Sequence, residues 1–263
     1  MQRLKCDRLG EINHNKFGTK MKIIEYNNCS DITVEFQDEY KAKVKTNYFN
    51  FKNNTVRNPY DKETCGVGYI GVGEYKGYIK KRCTDAYQFW NGMITRCYDP
   101  YYINKYPTYK DCFVCEEWHN FQNFAKWYEE NYYEINDESM CLDKDILIKR
   151  NKIYSPDTCV FVPNRINVLF TKRQNHRGEY PIGVSYVKRN NKLQSSCHTY
   201  DKENSKKCPK FLGYFPLDKP FQAFYVYKQF KENYIKQVAD EYKDLIPKKL
   251  YDALYEWRVE IND

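Results

Sequence analysis

Apolar and polar residues alternate over the first third of the chain, a pattern typical of β-strands with one buried face. The alternation runs through 21–26, 31–36 and 40–51, and the residues at 27–28 and 37–38 are typical of turns. We therefore predict an antiparallel β module that ends near residue 80, with residues 1–20 as a polar arm or an edge strand. A half-buried sheet with a charged outer face explains this pattern more simply than a binding surface does.

The pattern changes to a helical period in the middle of the chain. Thr84 precedes a segment whose apolar residues share one helix face, which predicts a Thr84-capped helix ending near Cys97. A second helix is predicted from about Glu116 to Asn131, again with aromatic residues at helical spacing. That spacing is typical of core packing, so these rings are not assigned a stacking role.

The stretch 142–167 (LDKDILIKRNKIYSPDTCVFVPNRIN) predicts a strand, a turn and a capped helix, with the helix start at 155–157. If Asp143 and Asp145 both lie in the strand, their carboxylates point to one face. Such a pair can hold a magnesium ion for phosphodiester hydrolysis. Ion pairing with Lys144, Lys149 or Arg150 is the alternative.

The last third predicts a short sheet and two helices. Strand-like segments at 181–186, 192–195 and 211–215 precede a long amphipathic helix over 221–242, and a shorter helix follows Pro247. The predicted fold class is α+β, with an N-terminal antiparallel β module, a central helical, ββα-like module and a C-terminal three-stranded sheet packed on a long helix. The predicted modules are 1–80, 81–171 and 172–263.

Positive charge is concentrated in one segment. The chain of 263 residues has a net charge of +8, and residues 171–210 carry ten Lys or Arg against three acids, which is +7. A local excess of this kind is the electrostatic footprint of a nucleic-acid surface, with a solvated loop as the alternative.

Membrane and secretory classes do not fit the sequence. The chain has no run of 18 apolar residues and no signal-like apolar region at its start. Its eleven cysteines are odd in number and scattered. These features predict a protein of a reducing cytoplasm, without a membrane partner.

Two short motifs suggest ligand sites. Residues 66–71 match GxGxxG, but a strand-like, glycine-rich run follows where the dinucleotide fingerprint needs a helix, so we interpret them as a connection. Cys112, Cys115 and His119 have the ligand types of a zinc site. A second ligand pair at suitable spacing is missing, so zinc is a weak candidate and no metal is predicted.

Residues 90–99, 115–124 and 142–161 together resemble phage-encoded proteins related to HNH homing endonucleases. The family core runs approximately LDRIDNNGNYSPENCRW, and 142–161 follows it in order. In an active member, a His acts as general base and other residues hold a divalent metal. Here Asp145, Thr158 and Asn167 stand at the three motif positions, so a conventional HNH site is absent.

Residues 182–230 resemble the ethylene-response-factor type DNA-binding domain that phage integrases and homing endonucleases also carry. The matching segments are 181–186, 192–195, 211–215 and 223–227, and Leu193 stands where the family has an aromatic residue. The resemblance implies a sheet that lies on the DNA major groove. With the basic segment, it gives the candidate DNA-binding residues Arg173, Arg177, Lys188, Arg189, Lys192, His198, Lys206, Lys207 and Lys210.

These patterns predict a phage or prophage protein that binds double-stranded DNA without efficient nuclease activity and without a cofactor. One alternative is an inhibitor of a host anti-phage defence enzyme, such as an anti-CRISPR, whose partner is that host protein. The other is an HNH-like endonuclease that uses Asp143, Asp145 and His119 with Mg²⁺. The C-terminal helices could also join two copies of the chain.

Overall fold

The computed structural model describes residues 7–170, 179–201 and 206–263, with side chains for all of these except 201, 206 and 207. The described strands are β1 (Ile12–His14), β2 (Lys20–Asn28), β3 (Asp31–Phe36), β4 (Lys43–Thr46), β5 (Tyr78–Ile79), β6 (Arg82–Cys83), β7 (Phe113–Val114), β8 (Met140–Asp143), β9 (Ile153–Tyr154), β10 (Val160–Pro163), β11 (Val184–Val187), β12 (Lys192–Asp201) and β13 (Lys206–Phe215). The described α-helices are α1 (Tyr48–Lys52), α2 (Asp85–Tyr98), α3 (Pro100–Lys105), α4 (Phe121–Asn131), α5 (Asn164–Asn167), α6 (Pro220–Glu241) and α7 (Lys248–Glu256).

The chain folds as two compact units. The first comprises the described residues up to Tyr132 together with Lys152–Asp157, and the second comprises Tyr133–Asn151 and Thr158–Asp263. Helices and strands occur in both, which confirms the α+β class. The boundaries predicted at residues 80 and 171 stay predictions. Within the described ranges, no helix combines the length and hydropathy that crossing a bilayer requires.

The predicted N-terminal antiparallel sheet forms, but the strand expected over 40–51 was wrong in its second half: β4 ends at Thr46, because the Asn47 side chain accepts from the Asn50 N–H and caps α1. Strands β1 to β4 make an antiparallel sheet in sequential order, and β1 is the edge strand expected before residue 20. Alternate residues of β2 and β3, such as Met21, Ile23 and Ile32, are fully buried under one face. Phe51 of α1 packs into the same cluster, so the short helix closes the core of this sheet.

Helix α2 confirms the predicted cap, because the Thr84 hydroxyl accepts from the Tyr87 N–H at 3.4 Å. The second predicted helix begins later than expected: residues 116–119 form a 3-10 turn, and α4 starts at Phe121. The reason is a second cap, since the Asn120 side chain accepts from the Gln122 N–H at 3.0 Å. The predicted helix start at Glu116 was therefore wrong by about one turn.

The glycine-rich segment 66–71 is a connection, as predicted, because no helix follows it before α2 among the described residues. Two of its glycines, Gly68 and Gly71, allow close packing within the first unit. A Cβ on Gly68 would lie 2.9 Å from the Trp90 ring, and one on Gly71, at φ +72°, would lie 2.2 Å from the Asn120 side chain. The GxGxxG spacing therefore reflects close approach of two side chains to the backbone.

The stretch 142–167 differs from its prediction in two places. Strand β8 ends at Asp143, whose Oδ1 accepts from the N–H groups of Asp145 at 2.8 Å and Ile146 at 2.7 Å. This side-chain turn ends the strand, so the expected pair of carboxylates on one strand face was wrong. The helix expected at 155–157 was also wrong: a turn leads into β10, which is buried throughout and pairs antiparallel with β8.

The C-terminal part confirms the predicted sheet and helices. Strands β11, β12 and β13 form an antiparallel sheet in that order, and α6 packs on one of its faces. The first half of α6 contacts the sheet, with Tyr227 packed beside Cys197. Its second half, including Ile235 and Val238, packs with Val162 of β10 and with α7. One helix therefore carries both halves of the second unit's core.

Candidate nucleic-acid interface

Among the residues that the structure describes, the C-terminal sheet has one covered face and one open face. On β12, Leu193, Ser195 and Cys197 are buried on the side of α6. Strand geometry turns the alternate residues Lys192, Gln194, Ser196 and His198 to the other side, and the first and last of these are exposed. The open face therefore presents a row of polar groups along its central strand.

A bulge in β13 adds two aromatic rings to that face. The register shifts between Ser195 and Ser196, so Leu212 is the extra residue and joins the cluster on the helix side. As a result Phe211 lies opposite Ser196 and Tyr214 lies opposite Gln194, both on the open face. Their ring centroids are 4.9 Å apart, and the residues are 52% and 46% exposed.

The predicted DNA-binding residues lie in different places around this sheet. Lys192 and His198 share the open face, and Lys188 and Arg189 are exposed in the 3-10 turn that joins β11 to β12. Lys210 lies opposite Cys197, so its exposed side chain leaves the sheet on the helix side. Lys206 and Lys207 belong to β13, where the backbone alone is described, and Arg173 and Arg177 lie outside the described residues.

The sequence prediction missed Phe211 and Tyr214 as possible contacts. Residues three apart in a regular strand point to opposite faces, so simple alternation hides this pair. A signal was present in Gly213, because an isolated glycine inside a strand is typical of a bulge. Gly213 has φ +149°, a backbone conformation that L side chains rarely adopt.

The acidic pair in the second unit does not fit a divalent metal. The Asp143 carboxylate is occupied by two backbone N–H groups, and the Asp145 Oδ2 pairs with Lys144 Nζ at 3.3 Å. Burial and the nearby Asp145 charge raise the pKa of Asp143 to about 6. In the described part of the chain, no three His, Cys, Asp or Glu side chains form a metal-binding group.

The three residues suggested as zinc ligands lie in the first unit, and two of them, Cys112 and His119, contact other protein groups. Cys112 is buried, and its thiol is 3.9 Å from the Thr108 carbonyl oxygen. Cys115 precedes the 3-10 turn, and His119 Nε2 is 3.4 Å from the Tyr98 hydroxyl. Burial lowers the pKa of His119, which favours the neutral imidazole in this setting.

No protein-family model, curated protein or solved structure matches this chain. The geometry of the open sheet face and the sequence resemblances are therefore the grounds on which a function is proposed.

Proposed function

We propose that this protein binds double-stranded DNA with the open face of its C-terminal sheet. The observation that carries the proposal is the asymmetry of that sheet. One face is covered by α6, and the other carries Lys192, His198, Phe211 and Tyr214 with the basic turn at 188–189 beside it. A polar and aromatic face without a covering element is typical of a recognition surface.

The dimensions of a β-ribbon suit the DNA major groove, which is about 12 Å wide and admits two strands. Gln194 and His198 can exchange hydrogen bonds with base edges, and the rings of Phe211 and Tyr214 can contact thymine methyl groups or sugars. Lys188, Arg189 and Lys192 stand at one end of the sheet, where they can neutralise phosphates. The resemblance to the ethylene-response-factor domain supports the same placement, with the sheet lying on the DNA major groove.

Salt dependence tests the electrostatic part of this proposal. If five or six cations of the segment 171–210 contact phosphates, the slope of log affinity against log salt is about −5 for the full chain. Replacing Lys188 and Arg189 together by Met should reduce its magnitude by about two. The matched control replaces Lys243 and Lys249, two exposed lysines of the same unit outside the sheet, and should leave the slope unchanged.

Fluorescence anisotropy with a labelled duplex measures these slopes directly. Absence of salt-dependent binding to any duplex at about 50 mM salt would contradict the proposal. An equal loss of slope in the control pair would show that total charge, and not the sheet, governs binding.

A second candidate function is binding to a protein partner, such as a host anti-phage defence enzyme. One observation favours it: Phe221 and Tyr225, one turn apart on α6, are 69% and 55% exposed. Exposed neighbouring rings are typical of protein interfaces. If full-length protein captures a host protein in nuclease-treated lysate, replacement of both rings by Ser should release it, whereas the Lys188 and Arg189 variant should retain it.

A further inference from the structure

A short hairpin of the first unit presents four cations to solvent. Strands β5 and β6 pair antiparallel with Ile79 opposite Arg82, so two residues alone form the loop between them. Between residues 75 and 84 the chain carries four basic side chains and no acid. All four are exposed: Lys76, Lys80, Lys81 and Arg82. The segment 76–83 is called the basic hairpin below.

The cations of the basic hairpin have no partner among the described residues. The ion pairs of the first unit in that part of the chain all end on Glu11 or Glu35, and none of them includes a hairpin cation. None of the four side chains makes a hydrogen bond or a ring contact there either. Like charges this close together repel one another, so a bound polyanion would relieve the repulsion and meet cations that no protein group neutralises.

The loop holds its charges in a conformation that disfavours lysine. Lys80 has φ +48° and Lys81 has φ +66°, and no other two consecutive non-glycine residues of the described chain have positive φ. A two-residue loop of this kind favours Asn-Gly, because a Cβ is crowded in the left-handed region. Two lysines therefore give the tip its charge although they make the turn less stable, a combination typical of functional sites.

The base of the basic hairpin is fixed to the start of α2. The Thr84 N–H donates to the Gly77 carbonyl at 2.9 Å, and the Thr84 hydroxyl donates to the Lys76 carbonyl at 3.1 Å. A Cβ on Gly77 would lie 2.8 Å from the Tyr87 ring, so only glycine allows this close packing. Because Thr84 also caps α2, the hairpin and the helix end hold each other in place.

Tyr78 adds an aromatic surface beside the cations. Its ring centroid lies 5.3 Å from that of Tyr87, with 52° between the planes, and the residue is still 59% exposed. The ring is therefore supported from one side and open to solvent on the other. Proteins that bind single strands combine cations along the backbone with rings on which unpaired bases stack. The bases of a duplex already stack on one another, so an open ring of this kind favours a single strand.

We propose that the basic hairpin binds single-stranded nucleic acid, with an unpaired base stacked on Tyr78 and phosphates at Lys80, Lys81 and Arg82. Stacking on a tyrosine ring accepts any base, and each phosphate contact releases condensed counterions, so binding of this kind depends on salt more than on sequence. The site lies in the first unit and does not depend on duplex binding by the sheet of the second unit.

Fluorescence anisotropy of the full chain with a labelled thymidine oligonucleotide of about 15 nucleotides tests the site. The main variant, Lys80→Asn with Lys81→Gly, removes two charges and supplies the residues that the loop favours. It should lower the magnitude of the salt slope by about 1.4, since each phosphate contact on a single strand contributes about 0.7. Its Tm should equal or exceed that of the unchanged protein, so that weaker binding cannot be ascribed to unfolding.

Two further variants separate the ring from the charges. Tyr78→Leu keeps an apolar side chain against Tyr87 and should weaken binding at least about fivefold with an unchanged slope, because stacking releases no counterions. The matched control replaces Lys20 and Lys45, two exposed lysines of β2 and β4, by Gln and should leave the slope unchanged.

The assignment is overturned if the unchanged protein fails to bind the oligonucleotide at about 50 mM salt, or if the Asn-Gly variant binds it with the same affinity and slope. A lower Tm of that variant would show that the lysines stabilise the turn, which also contradicts the assignment. Binding to vesicles of phosphatidylserine and phosphatidylcholine, without binding to the oligonucleotide, would assign the hairpin to an anionic lipid surface instead.

Duplex affinity of the Asn-Gly variant separates this site from the sheet of the second unit. It should stay within about twofold of the unchanged protein, because the ring needs an unpaired base. An equal loss for duplex and single strand would show a general phosphate contact and would overturn the single-strand assignment. Failure of the sheet to bind a duplex leaves the oligonucleotide readouts as they are.

Discussion

Asp143 offers a sharp test of whether the acidic pair serves structure or catalysis. Its Oδ1 accepts two backbone N–H groups, and Asn can supply the same acceptor without a charge. We therefore predict that Asp143→Asn keeps the turn after β8 and is at least as stable as the unchanged protein at pH 7. Asp143→Ala removes the acceptor for both N–H groups, so it should be about 2 kcal/mol less stable than Asp143→Asn at any pH.

The sign of the pH dependence follows from the raised pKa. Burial and then the Asp145 charge raise the pKa of Asp143 from 3.8 to about 6, so the folded protein holds this proton more tightly than the unfolded chain. This contribution to stability is present below pH 3.8 and is lost as the pH rises toward about 6. The full difference corresponds to about 3 kcal/mol, and partial solvent access reduces the expected value to ~1–2 kcal/mol.

Urea unfolding at pH 4 and pH 7, followed by circular dichroism, measures the effect. Asp143→Asn should match the unchanged protein at pH 4 and exceed it by ~1–2 kcal/mol at pH 7, with the same denaturant slope. Asp145→Asn is the matched control: it removes the neighbouring charge, so the pH-dependent loss should become smaller. A loss of stability in Asp143→Asn at pH 7 would show that the ionised carboxylate stabilises the fold and would refute this reasoning.

Three further predictions concern function. Phe211→Ala with Tyr214→Ala should weaken duplex binding about tenfold without changing the salt slope, because rings contribute no counterion release; a changed slope in anisotropy titrations would contradict the assigned contacts. Plasmid nicking with Mg²⁺ or Mn²⁺ should be weak, because the sequence resemblance to HNH nucleases puts Asp145 at the position of their catalytic His; robust cleavage that Asp145→Ala abolishes would reverse this view. Elemental analysis should find little zinc, since no second ligand pair accompanies Cys112 and Cys115; about one zinc per chain, lost on Cys112→Ser, would contradict it.

Elements with local signals were predictable from the sequence. The cap at Thr84 and the long amphipathic period of α6 depend on residues within a few turns, and both predictions were confirmed. The wrong predictions of element boundaries fall where a polar side chain accepts backbone N–H groups and so changes where a strand or helix ends or begins. Asp143 ends β8 by accepting two N–H groups, and Asn120 delays α4 in the same way. Short polar side chains favour several conformations, so their effect depends on tertiary contacts.

The candidate surface was predictable in charge but not in shape. Lys188, Arg189 and Lys192 were identified from composition and resemblance alone, and the structure leaves all three exposed. The rings of Phe211 and Tyr214 reach the same face through a bulge that alternation cannot reveal.

Helix α6 has a consequence for how the second unit opens. Its first half packs against the sheet and its second half against β10 and α7, without a break in the helix. If the sheet opened alone, the first half of α6 would have to separate from its second half. The helical hydrogen bonds run without a break between the two halves, so such a separation is unfavourable. We therefore expect amides of β12 and β8 to exchange with solvent through the same opening event.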